Sequence, residues 1–97
     1  MGELSEWGKI LMVGRELLVK GDRSADHLAK LVGVSPATLK RYLADLRHVG
    51  CEIVSRRGSG GWFYRLENGD AVQVRMLRWL DLERKRTLVS ESDGGLF

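Results

Sequence analysis

The sequence holds one cysteine, Cys51, and one proline, Pro36. A single thiol excludes an internal disulfide and points to a reducing compartment. Cys51 itself reads as a small buried apolar residue, with a redox switch or an intermolecular disulfide as the open alternatives. No apolar run approaches the roughly 20 residues a bilayer span needs, and no basic-then-apolar leader opens the chain. The expectation is a cytoplasmic protein with no membrane partner. There are two histidines, His27 and His48, and neither stands at ligand spacing with Cys51, so no metal and no cofactor are expected. His48 reads as a helix-end residue near the last carbonyls. The run Arg57-Gly58-Ser59-Gly60-Gly61 lacks the Gly-Lys-Ser/Thr ending of a phosphate loop and is flanked by strand-forming residues on both sides. With no catalytic constellation, an enzyme is not expected.

What is present is one domain of 97 residues, 43% hydrophobic and 30% charged, with a core small enough to gain from a second subunit. The net charge of +3 is unevenly placed. Residues 3–34 balance to zero, and residues 66–97 carry one negative charge in excess. Residues 35–65 hold Lys40, Arg41, Arg47, Arg56, Arg57 and Arg65 against Asp45 and Glu52, a local excess of four. A basic face of this kind is the electrostatic footprint of a nucleic-acid binder. Eleven of the sixteen basic residues are arginine, the side chain suited to bidentate phosphate and guanine contacts.

Helical periodicity runs over 3–19, where Leu4, Trp7, Leu11, Gly14 and Leu18 recur at spacings of three and four. Ile10, Val13 and Leu17 widen the stripe. This helix is either wholly core or shared between core and a dimer partner. Gly21-Asp22 ends it, Arg23 begins a short extended link, and Ser24 caps a second helix over 24–32. Gly33 is suited to a tight helix-ending turn. Ser35-Pro36 is a strong helix start, with a capping hydroxyl and proline at the first position. The third helix, 36–48, buries Leu39, Leu43, Leu46 and Val49 and turns Ala37, Thr38, Lys40, Arg41, Ala44 and Asp45 more to the outside. Asp45 either pairs with Arg41 four residues before it or sits away from a ligand. Strand, glycine tip and aromatic strand follow over 51–66, a β-hairpin with Trp62, Tyr64 and Leu66 on one face and Phe63 and Arg65 on the other. Trp62, Phe63 and Tyr64 could stack on single-stranded bases, but alternation assigns at least two of them to the core. Arg56, Arg57 and Arg65 could instead be a solvated strand face that resists aggregation; their coincidence with a basic helix in the preceding element favours a nucleic-acid face. Asp70 caps a last helix over 71–87, with Val72, Met76, Leu77, Trp79 and Leu80 on one arc. Residues 1–89 form the domain, and 90–97 read as a flexible tail.

Two helices joined by a sharp turn, the second carrying Thr38, Lys40 and Arg41, are the usual device for placing a helix in a DNA major groove. The segments Ser24-Ala25-Asp26-His27-Leu28-Ala29 and Gly33-Val34-Ser35, the ladder Thr38, Leu43, Leu46, and Gly50-Cys51-Glu52-Ile53 leading to a glycine-rich tip and Tyr64 resemble the winged-helix domain of bacterial biotin ligase–repressors. That domain type recurs in DeoR-class regulators. The resemblance covers about half the chain. It implies an α+β winged helix-turn-helix of three helices, a β-hairpin wing and here an additional C-terminal helix. It also implies a DNA site made of Ser35, Ala37, Thr38, Lys40 and Arg41 on the third helix, with Arg56, Arg57 and Ser59 on the wing at 55–62. The family continues into a sensor or catalytic domain for which this chain has no room, so regulation is expected through concentration, dimerisation or a partner protein. Leu4, Trp7, Leu11, Met76, Trp79 and Leu80 are the candidate dimer contacts. The resulting expectation is a sequence-specific, homodimeric binder of double-stranded DNA, a repressor-like regulator encoded by a bacterium, phage or plasmid. The alternatives are an accessory factor for plasmid or phage replication, partition or recombination, and a winged helix used for protein contact.

Overall fold

Helix boundaries in the computed structural model, which describes residues 5–96, follow local chemistry closely. Helix α1 (Glu6–Lys20) starts where the Ser5 hydroxyl accepts the Gly8 N–H at 3.0 Å, with Glu6 in the positive first turn and Lys20 in the last. Strand β1 (Arg23–Ser24) leads into α2 (Ala25–Val32), capped by the Ser24 hydroxyl on the His27 N–H. Gly33 ends α2 at φ 69° and ψ 43°, a left-handed conformation that costs a side-chain-bearing residue energy and glycine little. Helix α3 spans Pro36–His48, β2 spans Ile53–Gly58, β3 spans Gly61–Leu66 and α4 spans Gly69–Leu96.

The sheet has the order β1-β3-β2, both pairings antiparallel. The extended link at Arg23 is thus a third strand, pairing Arg23 with Tyr64 and Ser24 with Phe63. It fixes the base of the hairpin to the start of α2. Helix α4 starts earlier than the apolar pattern predicts, directly after Asn68, so Asp70 lies inside its first turn. Asn68 instead clamps the turn after α3: its side chain accepts the Glu52 N–H and donates to the Gly50 carbonyl, both at 2.8 Å. The helix also continues to Leu96, across positions read from sequence as a tail.

The core joins α1, α2, α3, the hairpin base and α4. Leu11, Val13, Leu28, Leu39, Leu43, Leu46 and Met76 are its most enclosed side chains. Cys51 is buried, and burial pushes its thiol pKa up, consistent with a packing role. Helix α4 lies along α1. Trp7 and Trp79 meet with ring centroids 5.9 Å apart, and the buried carboxylate of Glu83 receives the Ser5 hydroxyl and Arg86. Those hydrogen bonds, Ser5 first, hold the Glu83 carboxyl below its usual pKa.

This packing corrects the dimer contacts expected from sequence. Leu11, Met76 and Leu80 are 0%, 2% and 2% exposed and face the chain's own core. Trp7 and Trp79 are half-buried against each other, and Leu4 lies outside the described residues. Of the arc read on α4, Val72, Met76, Trp79 and Leu80 turn inward, where α1 packs on them within the monomer, and Leu77 is left outside. Among the residues whose burial is described, α4 leaves the large apolar side chains of Val74, Leu77 and Leu82 outside.

Close approach of α1 and α4 depends on Gly14, where an added Cβ would stand 2.7 Å from Met76 Sδ and 3.2 Å from Leu46 Cδ2. Gly14→Val therefore destabilises the fold by roughly 1–3 kcal/mol through overpacking. Gly14→Ala costs less, because the flexible thioether can move and alanine regains about 1 kcal/mol of helix propensity. Urea unfolding of both variants checks the order, and equal stabilities would contradict it.

Candidate nucleic-acid interface

The turn between α2 and α3 sets which side of α3 faces out. The Val34 N–H reaches the Ala29 carbonyl at 3.0 Å, closing the last turn of α2. The Ser35 hydroxyl accepts the Thr38 N–H at 3.2 Å and donates to the Thr38 hydroxyl at 3.1 Å, and Pro36 opens the helix. Leu39, Tyr42, Leu43 and Leu46 then sink into the core. Two exposed or half-exposed stripes remain, one of Ala37, Lys40, Ala44 and Arg47, the other of Thr38, Arg41, Asp45 and His48.

The two stripes differ electrostatically. In the second, Arg41 reaches to α1 and pairs with Glu6 at 2.5 Å rather than with Asp45. Its guanidinium also lies 5.8 Å from the Tyr42 ring centre. In the first stripe, Lys40 and Arg47 meet no carboxylate at ion-pair distance among the described residues. Arg47 Nε donates to the Ile53 carbonyl at 3.0 Å, which fixes its side chain over the start of β2.

Strand alternation parts the two wing arginines expected to act together. The register pairs Ser55 with Tyr64 and Arg57 with Trp62 on one face of the hairpin, and Val54 with Arg65 and Arg56 with Phe63 on the other. The first face looks at α3: Ser55, Trp62 and Tyr64 line a cleft with Lys40, Leu43 and Arg47. Arg57 lies 5.7 Å from the Trp62 ring centre on that side. Arg56 lies 4.6 Å over Phe63 on the opposite side, where Nε and Nη2 both reach Asp22 Oδ2, at 3.2 and 3.1 Å. Ser59 is exposed at the hairpin tip.

Of the sequence-predicted positions, Ser35, Ala37, Lys40, Arg57 and Ser59 are exposed on the α3 start, the first stripe or the α3-facing side of the wing. Thr38 is half-buried beneath the cap, Arg41 turns to Glu6, and Arg56 is carried to the back of the hairpin. Two residues on the site-facing side were not among the expected duplex-binding positions: Arg47, counted only in the basic excess, and Trp62, weighed only as a stacking residue for single strands. Arg47 stands seven residues after Lys40 and so two turns along the same stripe; Trp62 is the cross-strand partner of Arg57. Among the described residues no group of three or more His, Cys, Asp or Glu comes together as a metal site, and no helix is long and apolar enough to cross a membrane.

Comparison with known proteins agrees with this architecture. The HTH domain family matches residues 15–63, which contain α2, the turn, α3, β2 and the start of β3. A solved structure with a similar fold is a zinc-responsive MarR family member, ZitR of Lactococcus lactis. It superposes with a TM-score of 0.55 at 19% identity, over 98% of this chain and 62% of that one. The chain thus spans about three-fifths of the length of that protein. No curated protein sequence matches. The chain belongs to the HTH domain family, and its fold is the winged helix-turn-helix form of that DNA-binding domain.

The Ser35 cap orders the end of α3 that stands beside the wing tip. Ser35→Ala leaves the Thr38 N–H without its acceptor and costs about 1 kcal/mol, whereas Ser35→Asp keeps an acceptor and most of the stability. Thermal unfolding of the two variants measures the difference, and an unchanged midpoint in Ser35→Ala would remove the cap from this role.

Proposed function

We propose that this member of the HTH domain family is a sequence-specific, homodimeric regulator of repressor type that sets α3 in the major groove of duplex DNA and its wing on the flanking backbone. The observation that carries the reading is the shared direction of Lys40, Arg47 and Arg57: they come from two elements, open on one side of the molecule and meet no carboxylate at ion-pair distance among the described residues. On that stripe Ala37 and Ala44 alternate with the cations, so the helix surface is low where base edges would approach. A helix of about 10–12 Å diameter fits a groove of about 12 Å. Lys40 and the exposed start of α3, Ser35 and Ala37, are best placed for base edges, and Arg57 and Ser59 for phosphates. Arg41 takes part by exchanging Glu6 for DNA. That exchange is inexpensive, because an exposed ion pair of this kind is worth about 0–1 kcal/mol.

Homodimerisation would double the base contacts at a fixed half-site spacing. The surface that supports it is the outer side of α4, where Val74, Leu77 and Leu82 are 79%, 36% and 54% exposed. Sedimentation equilibrium then gives twice the 10.9 kDa chain mass. The double variant Val74→Glu, Leu82→Glu gives a monomer with unchanged helical circular dichroism, and a monomeric parent protein would rule out the dimer.

Strand alternation also separates the wing arginines functionally. Arg57→Ala weakens binding to all duplex sequences alike and lowers the salt dependence by about one phosphate contact. Arg56→Ala changes affinity much less. Arg41→Ala costs on the order of 1–3 kcal/mol on a preferred site and relaxes sequence choice. Fluorescence anisotropy with labelled duplexes over a salt series measures all three. Equal losses for Arg56→Ala and Arg57→Ala would contradict the assignment of faces.

A further inference from the structure

Three consecutive residues at the start of α1 join it to two other helices. The Ser5 hydroxyl, besides capping α1, donates to the buried Glu83 carboxylate of α4, which Arg86 also reaches at 2.6 Å. The Glu6 carboxylate crosses to α3 and pairs with Arg41 at 2.5 Å. The Trp7 ring packs against Trp79 of α4. Neighbouring side chains on a helix point about 100° apart, so a single turn can hold α3 and α4 at once. Trp79 is itself shared. Besides Trp7 it meets Arg75, whose guanidinium lies 5.5 Å from its ring centre, and it lines a groove with Ala71, Val74, Arg78 and Leu82 on the outer side of α4. A chain of contacts therefore runs from the outer side of α4, through Trp79 and the first turn of α1, to Arg41 of α3. Of Lys40, Arg41 and Arg47, Arg41 alone is held by a carboxylate among the described residues. Its side chain and that of Glu6 are 57% and 62% exposed, so the pair stands where an outside anion can reach the guanidinium.

We infer that the first turn of α1 is an autoinhibitory latch: Glu6 competes with DNA for Arg41, and the seat of that turn on α4 sets how firmly it does so. The inference rests on the DNA-binding reading above and adds a means of control to it. A carboxylate and a phosphate present a guanidinium with the same kind of charged acceptor. The contact Arg41 would make to DNA is thus made inside the molecule when DNA is absent. Whatever displaces Trp79, such as a second copy settling in the groove it lines, also displaces Trp7 and with it the adjoining Glu6. The link is reciprocal, because DNA that takes Arg41 from Glu6 loosens the turn that rests on α4. Its strength is bounded by the worth of an exposed ion pair, about fivefold in affinity at most.

The test uses the full chain and a dye-labelled duplex. Anisotropy reads affinity, and the side-chain Nε–H NMR signal of Arg41, identified by its loss in Arg41→Ala, reads the latch without DNA. Glu6→Gln is expected to tighten duplex binding by up to about fivefold. In the Arg41→Ala background the same change gives the smaller gain due to one lost negative charge. Trp79→Phe, with DNA absent, moves the Arg41 signal toward its position in Glu6→Gln. Adding Glu6→Gln to Trp79→Phe then gains less affinity than it does in the parent protein. Weaker binding by Glu6→Gln overturns the inference, since Glu6 would then order Arg41 for DNA rather than withhold it. Equal gains with and without Arg41 overturn it as well. An Arg41 signal unmoved in a Trp79→Phe variant of unchanged helical circular dichroism overturns the link to α4, and the latch with it. All three failures leave duplex binding, and the DNA reading, standing. Absence of duplex binding by the parent protein even at low salt overturns the DNA reading itself, and the competition with it.

Discussion

The burial of one edge of α3 governs what the rest of the molecule can present. Leu39, Leu43 and Leu46 are 1%, 1% and 0% exposed. Side chains of this kind gain about 1.5–3 kcal/mol each on burial, so the three together approach the whole net stability of a small domain, about 5–15 kcal/mol. Rolling α3 by one residue would bring them toward water and take polar groups inside. The stripe of Ala37, Lys40, Ala44 and Arg47 is therefore held outward by the core. Gly14 makes this possible from the far side, since it lets α4 and Leu46 close on α1.

The hairpin extends the same logic with a period of two. Tyr64 is buried, which fixes Ser55, Arg57 and Trp62 on the α3 side and sends Arg56, Phe63 and Arg65 to the other. On that back face Asp22 takes two hydrogen bonds from Arg56 and lies 4.0 Å from Arg65. Positive charge is thus offset on the back of the wing and left open on the front. Pairing of β1 with β3 ties the hairpin to the start of α2.

Much of this was legible in the sequence because local rules and the fold agree. Ser24, Gly33, Ser35 and Pro36 mark their helix ends by capping chemistry, and the structure puts the boundaries of α2 and α3 within a residue of the predicted ones. Alternation of Trp62, Tyr64 and Leu66 against Phe63 and Arg65 was equally plain. The same alternation, applied to Arg56 and Arg57, would have parted them; grouping them by charge hid it. Arg47 was passed over although it lies two turns beyond Lys40 on one stripe. What sequence could not resolve was the partner of an apolar face. Leu11, Met76 and Leu80 form stripes that fit a second subunit or another helix of the same chain equally well, and only the tertiary path of α4 decides between them. The Arg41–Glu6 pair, between residues 35 positions apart, has no local signature at all.

The central claim is that the side of α3 bearing Lys40 and Arg47, together with the facing side of the wing, is the DNA surface. Amide chemical-shift mapping by NMR as a short duplex is added tests it most directly. The account predicts shifts concentrated in residues 35–48 and 55–62, with Asp22, Val54, Arg65 and the outer side of α4 little changed. Shifts centred instead on the Asp22–Arg56 face of the hairpin or on α4, with α3 silent, would contradict it.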